Sequence, residues 1–151
     1  MTGHHLRRVL LTMMVVLGVG AHAAQAHIEQ GADKYKAGST ATVSFTVDHG
    51  CDGSPTTKLV MRLPATVTAP APVAPKGWKT AVSADRRLVT WSGGSLPPKT
   101  PGVFAVKMTF PNSPGTSLSF PIVQTCKVGL IRWAGTSDND EHRAPVITLT
   151  R

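Results

Sequence analysis

The stretch TATVSFTV, Thr40 to Val47, decides the fold. Ala41, Val43, Phe45 and Val47 alternate with Thr40, Thr42, Ser44 and Thr46. A period of two places the apolar set on one face and the hydroxyls on the other, the pattern of a half-buried strand. The turn-rich run HGCDGSPT, His49 to Thr56, ends it. Leu59, Met61 and Leu63 repeat the alternation and stop at Pro64. Phe104, Val106, Met108 and Phe110 alternate against Val103, Ala105, Lys107 and Thr109, and Leu118, Phe120 and Ile122 form the next inward set. Leu88 to Trp91, Leu130 to Trp133 and Val146 to Leu149 are short runs of strand character.

The segments between these runs are breakers. Pro70 to Pro75 holds three prolines in six residues, so it is expected at a sheet edge or in a crossing loop. Gly93 to Gly102 reads as loop, Gly77-Trp78 follows the proline run, and Thr136 to Arg143 is a polar run expected to be exposed. After position 27 no helical period persists for a dozen residues. The expected fold is all-β: a single immunoglobulin-like antiparallel β-sandwich over residues 27–151, with about seven short strands.

Residues 1–26 read as a cleaved signal peptide. Arg7 and Arg8 supply the positive region, and Val9 to Val19 is an apolar run of 11 residues, too short to span a bilayer. Two small-x-small sites follow, Ala21-His22-Ala23 and Ala24-Gln25-Ala26. The second is preferred and makes His27 the mature N-terminus. A cut after Ala24 would instead leave Gln25-Ala26-His27, another terminal chelator, and a cut after Ala23 would leave no terminal histidine site. The protein is then exported, to a periplasm or to the extracellular cell envelope. No later stretch is long and apolar enough to serve as a transmembrane anchor.

Removing Arg7 and Arg8 from 16 Lys and Arg leaves 14, against 8 acidic residues, a net charge of +6. The charges are scattered rather than gathered in basic runs, which with export argues against a nucleic-acid partner. Two cysteines, Cys51 and Cys126, in an oxidising compartment suggest a disulfide. Their spacing does not resemble a metal knuckle.

There is no HExxH, GxSxG, P-loop or glycine-rich dinucleotide fingerprint, and a catalytic role is not expected. The mature histidines are His27, His49 and His142. His27 is the strongest candidate, because a terminal histidine offers its α-amine and ring Nδ1 to one metal ion. That nitrogen pair suits Cu(II). Glu29, two residues on, shares a face with His27 in an extended segment and offers an oxygen. His49 reads as a turn residue beside Cys51. His142 lies with Asp138, Asp140 and Glu141 in a solvated loop, and Trp78 and Trp133 read as packing residues.

The pieces HIE at the mature start, HGCDGSPT, the proline-rich run into Gly77-Trp78, and FPIVQTC followed by Trp133 resemble the YcnI-like family of exported copper-binding domains. They stand in that family's order. The resemblance implies a β-sandwich that binds Cu(II) through the mature N-terminal histidine, here His27. It also implies a glutamate from a later strand as a ligand, a tryptophan over the site, here Trp133, and a cysteine pair like Cys51 and Cys126. The family glutamate has no counterpart: the run PGEF is PGVF here, Pro101 to Phe104, with Val103 in its place. Glu29 is the first candidate to supply the missing oxygen, and Asp48 the next. The start also departs, His27-Ile28-Glu29 replacing the common His-Val-Thr.

The function expected is copper binding and delivery, exchanging the ion with a membrane copper transporter or a copper chaperone. Two rivals stand beside it: a non-metal envelope interaction module that has lost the copper site, and a copper oxygenase that uses His49 or His142 as a second histidine.

Overall fold

The computed structural model describes residues 27–151; the stretch read as a signal peptide and its expected cut lie outside them. The described residues form strands and no helix, so none is long and apolar enough to cross a membrane as a helix.

The alternating stretch is strand β3, Thr40–Val47, and it pairs along its whole length with β8, Gly102–Thr109, from Thr40↔Thr109 to Val47↔Gly102. Val43, Phe45 and Val47 are buried on one side, with Phe104, Val106 and Met108 beside them. β1, Ile28–Gln30, adds to the free side of β3, and β5, Thr68–Val73, to the free side of β8. This four-stranded sheet faces a five-stranded one of order β11-β10-β4-β7-β6, comprising Leu130–Trp133, Ile122–Cys126, Thr56–Arg62, Leu88–Leu96 and Lys79–Val82. Its inward side chains include Leu59, Met61, Val89, Trp91, Ile122 and Trp133. The fold is the all-β immunoglobulin-like sandwich expected.

A third sheet closes one flank: β2, Lys34–Lys36, β12, Val146–Thr150, and β9, Ser117–Ser119. Here β2 runs parallel to β12, a departure from the otherwise antiparallel plan. The cause is a switch of sheets. The chain leaves β3 at Gly31, whose N–H donates to the Ser44 carbonyl at 2.8 Å, and two residues later Asp33 accepts from the Thr148 N–H at 2.8 Å. A Cβ on Gly31 would lie 2.2 Å from Ser44 Oγ, so a larger residue at this pass would turn the Ser44 hydroxyl aside.

Three local expectations change. The proline run is β5, an edge strand with an irregular register between Thr68 and Ala71, where missing N–H groups cost least. Gly93–Leu96 continues β7 rather than forming loop: Thr56 pairs Leu96 while Lys58 pairs Ser92, so the two glycines fall in a bulge. Leu118, Phe120 and Ile122 are all buried but belong to different sheets, Leu118 in β9 and Ile122 in β10, because Pro121 interrupts the run.

The HGCDGSPT turn is held from several sides. Cys51 is bonded to Cys126 with Cα atoms 5.9 Å apart, the pairing the resemblance implied. Gly50 donates to the Pro98 carbonyl at 3.0 Å, and Cys51 and Ser54 exchange backbone hydrogen bonds. A Cβ on Gly50 would sit 1.9 Å from the Ser54 carbonyl oxygen. Backbone cannot step aside as a side chain can. Gly50→Ala is therefore expected to cost about 2–3 kcal/mol, read as a lower midpoint in urea at unchanged slope. A midpoint within experimental error of the parent would show that this turn tolerates a shift.

Candidate metal site at the head of the first strand

Ile28 is buried and pairs with Val47, which fixes the register of β1. His27, half-buried, stands one residue before it. It lines a groove of about 710 Å³ between β1 and the segment that leads into β12. Glu29, Asp33, Asp138 and Arg143 line the same groove. Gln30 Nε2 crosses it, donating to Asp33 Oδ1 at 2.8 Å and to the Val146 carbonyl at 2.9 Å. Arg143 Nη1 pairs with Asp138 Oδ1 at 2.6 Å.

The oxygen question has a definite layout. Glu29 pairs Thr46, and Thr46 pairs Val103. The three side chains therefore form one row on the outer face of the sheet, with Glu29 and Val103 exposed. At about 4.8 Å per strand, Glu29 lies roughly 10 Å from Val103, where the resemblance implied a glutamate. It shares the row but does not occupy the spot, and its advantage is that it borders the groove with His27. Asp48 follows Val47, the partner of Ile28, so it stands across from His27 and is exposed, yet it does not line the groove. Asp33 and Asp138 do. Sequence reasoning passed over both, because one sits in a strand switch and the other in a polar loop 111 residues from His27. No local signal joins them.

Trp133 is 1% exposed and lies outside the groove lining. Its indole N–H donates to Gln124 Oε1 at 2.9 Å. Gln124 Nε2 in turn donates to Thr56 Oγ1 and to the His49 carbonyl, each at 2.7 Å. Gln124 and Thr56 are buried, and the chain Trp133–Gln124–Thr56 satisfies their polar groups where unpaired ones would be costly. The rings of His49 and His142 approach Trp133 edge-on, with centroids 6.2 and 5.1 Å away. His142 thus leaves the solvated loop expected of it and packs on Trp133. Trp78 packs on Phe104 at 4.9 Å. Elsewhere in the scaffold, burial raises the Tyr35 hydroxyl above its ordinary value. The Ser83 hydroxyl and the Arg87 N–H hold Asp85 below the usual carboxylate range.

Among the described residues no group of three or more His, Cys, Asp or Glu side chains is placed to hold a metal ion. A terminal chelate needs no such group. It draws two nitrogens from one residue, and one of them becomes an amine only when the peptide bond before His27 is cut.

The profile of the family described as "Domain of unknown function (DUF1775)" matches residues 27–87 and 79–150. An uncharacterised Nocardia farcinica protein with an immunoglobulin-like fold is similar at 24% identity and a TM-score of 0.71, covering 83% of this chain and 99% of that one. The third cohesin ScaC of Acetivibrio cellulolyticus, solved with a ScaB dockerin, is 14% identical with a TM-score of 0.55 over 83% and 99% of the two chains. A type III cohesin module of the ScaE scaffoldin of Ruminococcus flavefaciens is 12% identical with a TM-score of 0.52 over 83% and 87%. At such identities the likeness speaks for the fold, and a fold hosts many functions. No curated protein matches the sequence. With the profile match running from His27 to the end of β12, the chain belongs to the DUF1775 family.

Proposed function

We propose that this is an exported copper-binding protein of the YcnI-like kind, holding Cu(II) at a mature N-terminal His27. The observation that carries the reading is the position of His27. It is the first residue of the family match and heads β1 in a groove bordered by the carboxylates of Glu29, Asp33 and Asp138. An α-amine, an imidazole and carboxylate oxygens are the mixed N,O donors that Cu(II) accepts in tetragonal sites. Glu29 is the best placed oxygen, because Gln30 already engages Asp33 and Arg143 engages Asp138. The disulfide fits an oxidising compartment, and the periplasm or extracellular envelope is the proposed location. A chelate with open positions exchanges its ion readily, which suits delivery to a membrane copper transporter or a copper chaperone rather than catalysis.

The second reading is an interaction module without metal. Val103 and Val73 favour it, since both are exposed on the outer face of the four-stranded sheet where the family carries its glutamate.

The test is a Cu(II) titration with electron paramagnetic resonance on protein beginning at His27 and on protein with one glycine before it. The extension turns the amine into an amide and removes the chelate ring. The first protein should bind one copper with nitrogen couplings, and the second should bind at least about 100-fold more weakly. Affinity should rise with pH as the amine, ordinarily with a pKa of about 8, loses its proton. Equal binding by both proteins, or none by either, would leave the interaction module as the better reading.

A further inference from the structure

We propose that the outer face of the five-stranded sheet is a docking surface for an anionic lipid bilayer, with the turn between β10 and β11 entering the headgroup layer. The inference is independent of the copper reading, since it uses neither His27 nor its groove.

Strand alternation makes this face. Leu59 and Met61 of β4 are buried in the core, so Lys58, Val60 and Arg62 point outward. Register carries the outward side across the sheet. Arg132 pairs Val123, Val123 pairs Val60, Val60 pairs Thr90, and Thr90 pairs Ala81. In the next row Leu130 pairs Thr125, Thr125 pairs Lys58, Lys58 pairs Ser92, and Ser92 pairs Lys79. Lys58, Arg62, Lys79 and Arg132, far apart in the chain, are thereby gathered on one side of the sheet, and each is exposed. The five strands hold no Asp or Glu. Among the described residues none of these cations stands in an ion pair. Asp85, in the turn between β6 and β7, is already engaged by the Ser83 hydroxyl and the Arg87 N–H.

Unpaired positive charges on a face without acids attract anions. Their layout decides which kind. Strands about 4.8 Å apart spread them over a sheet roughly 19 Å wide. They do not converge on one point, so they suit a plane of headgroups rather than a single phosphate. The second observation is the apolar turn that adjoins them. Val128 is 74% exposed and Leu130 50%, in the run Lys127-Val128-Gly129-Leu130-Ile131-Arg132. Gly129 takes a φ of 84°, and its carbonyl accepts from the Cys126 N–H at 3.0 Å. The Val128 N–H donates to Ser54 Oγ at 2.8 Å, and the disulfide anchors Cys126. Two large apolar side chains are thus held out in water between Lys127 and Arg132. At a bilayer surface the apolar pair enters the acyl boundary while the cations stay with the phosphates. An acidic protein face would answer the cations alone, whereas the bilayer answers both features. Asp52 and Glu141 line a groove along the edge strand β11, outside the strands of this face.

The test is co-sedimentation with vesicles, using protein that begins at His27 and so lacks the apolar run Val9 to Val19. One set of vesicles is phosphatidylcholine alone, and the other is phosphatidylcholine and phosphatidylglycerol in equal parts. Binding to the mixed vesicles and not to the neutral ones is expected. It should fall at least about tenfold in about 1 M salt, where the screening length is about 3 Å. Lys58→Gln with Lys79→Gln should weaken partitioning by about 25-fold, roughly fivefold for each cation. Lys34→Gln with Lys36→Gln removes the same charge from β2 in the third sheet and should change it by less than about twofold. Val128→Ser should weaken it by about threefold. The comparison of the two vesicle types needs no variant. No binding to the mixed vesicles would overturn the proposal and leave the face to an acidic protein partner. Equal binding to both vesicle types would overturn it too. An equal loss in the Lys34 and Lys36 variant would overturn it as well, since binding would then follow net charge rather than this face. Unchanged binding of Val128→Ser would overturn the entry of the turn.

Discussion

Replacing Cys51 and Cys126 together by alanine is expected to lower stability by about 4 kcal/mol and the melting midpoint by roughly 15 °C. The bond spans 75 residues, and a loop of that size gives the unfolded chain much freedom when it is released. The folded side loses something too. The bridge joins the turn after β3 to the end of β10, tying the four-stranded sheet to the five-stranded one. Both sulfurs are buried, and Cys126 Sγ accepts from the Cys51 N–H at 3.0 Å. Scanning calorimetry of the double variant beside the oxidised parent measures the effect. A midpoint within about 3 °C of the parent would mean that the sandwich holds this turn without the cross-link.

Trp133→Ala is expected to cost about 3–5 kcal/mol, the range for emptying a buried aromatic position. Trp133 is almost wholly buried, touches both His49 and His142, and gives its N–H to Gln124. Two contributions are separable. Trp133→Phe keeps much of the volume but strands the Gln124 oxygen, an unpaired buried acceptor costing about 1–3 kcal/mol. Adding Gln124→Leu to Trp133→Phe removes the stranded oxygen, although Thr56 Oγ1 and the His49 carbonyl then lose their donor. A double-mutant cycle by urea denaturation reads the coupling, expected at about 1 kcal/mol or more. Additive single effects would show that the indole is only packing and that the hydrogen bond contributes nothing to stability.

The fold was legible where burial on one side writes a period of two. β3 and β8 could be read from Thr40–Val47 and Val103–Phe110 because every second side chain faces the same core. β1, β2 and β6 were not read. Each has at most four residues and few buried side chains, so no alternation accumulates. They exist because longer neighbours offer open edges. The same holds for Gly93–Leu96, where glycines read as loop but the adjacent β4 recruits the backbone into a bulged strand.

At the site, sequence by itself determined the donor types: an imidazole at His27, a carboxylate at Glu29, and at Val103 a side chain with no donor. Those are properties of residue identity and need no neighbours. Tertiary structure alone decided which distant groups join them. It brought Asp33, Asp138 and Arg143 to the groove of His27, set Glu29, Thr46 and Val103 in one row, and packed His49 and His142 around Trp133. It also left His49 Nε2 buried without a partner. The physical reason is that strand pairing joins residues by register across the sheet, and register is a property of the assembled sandwich rather than of any stretch of chain.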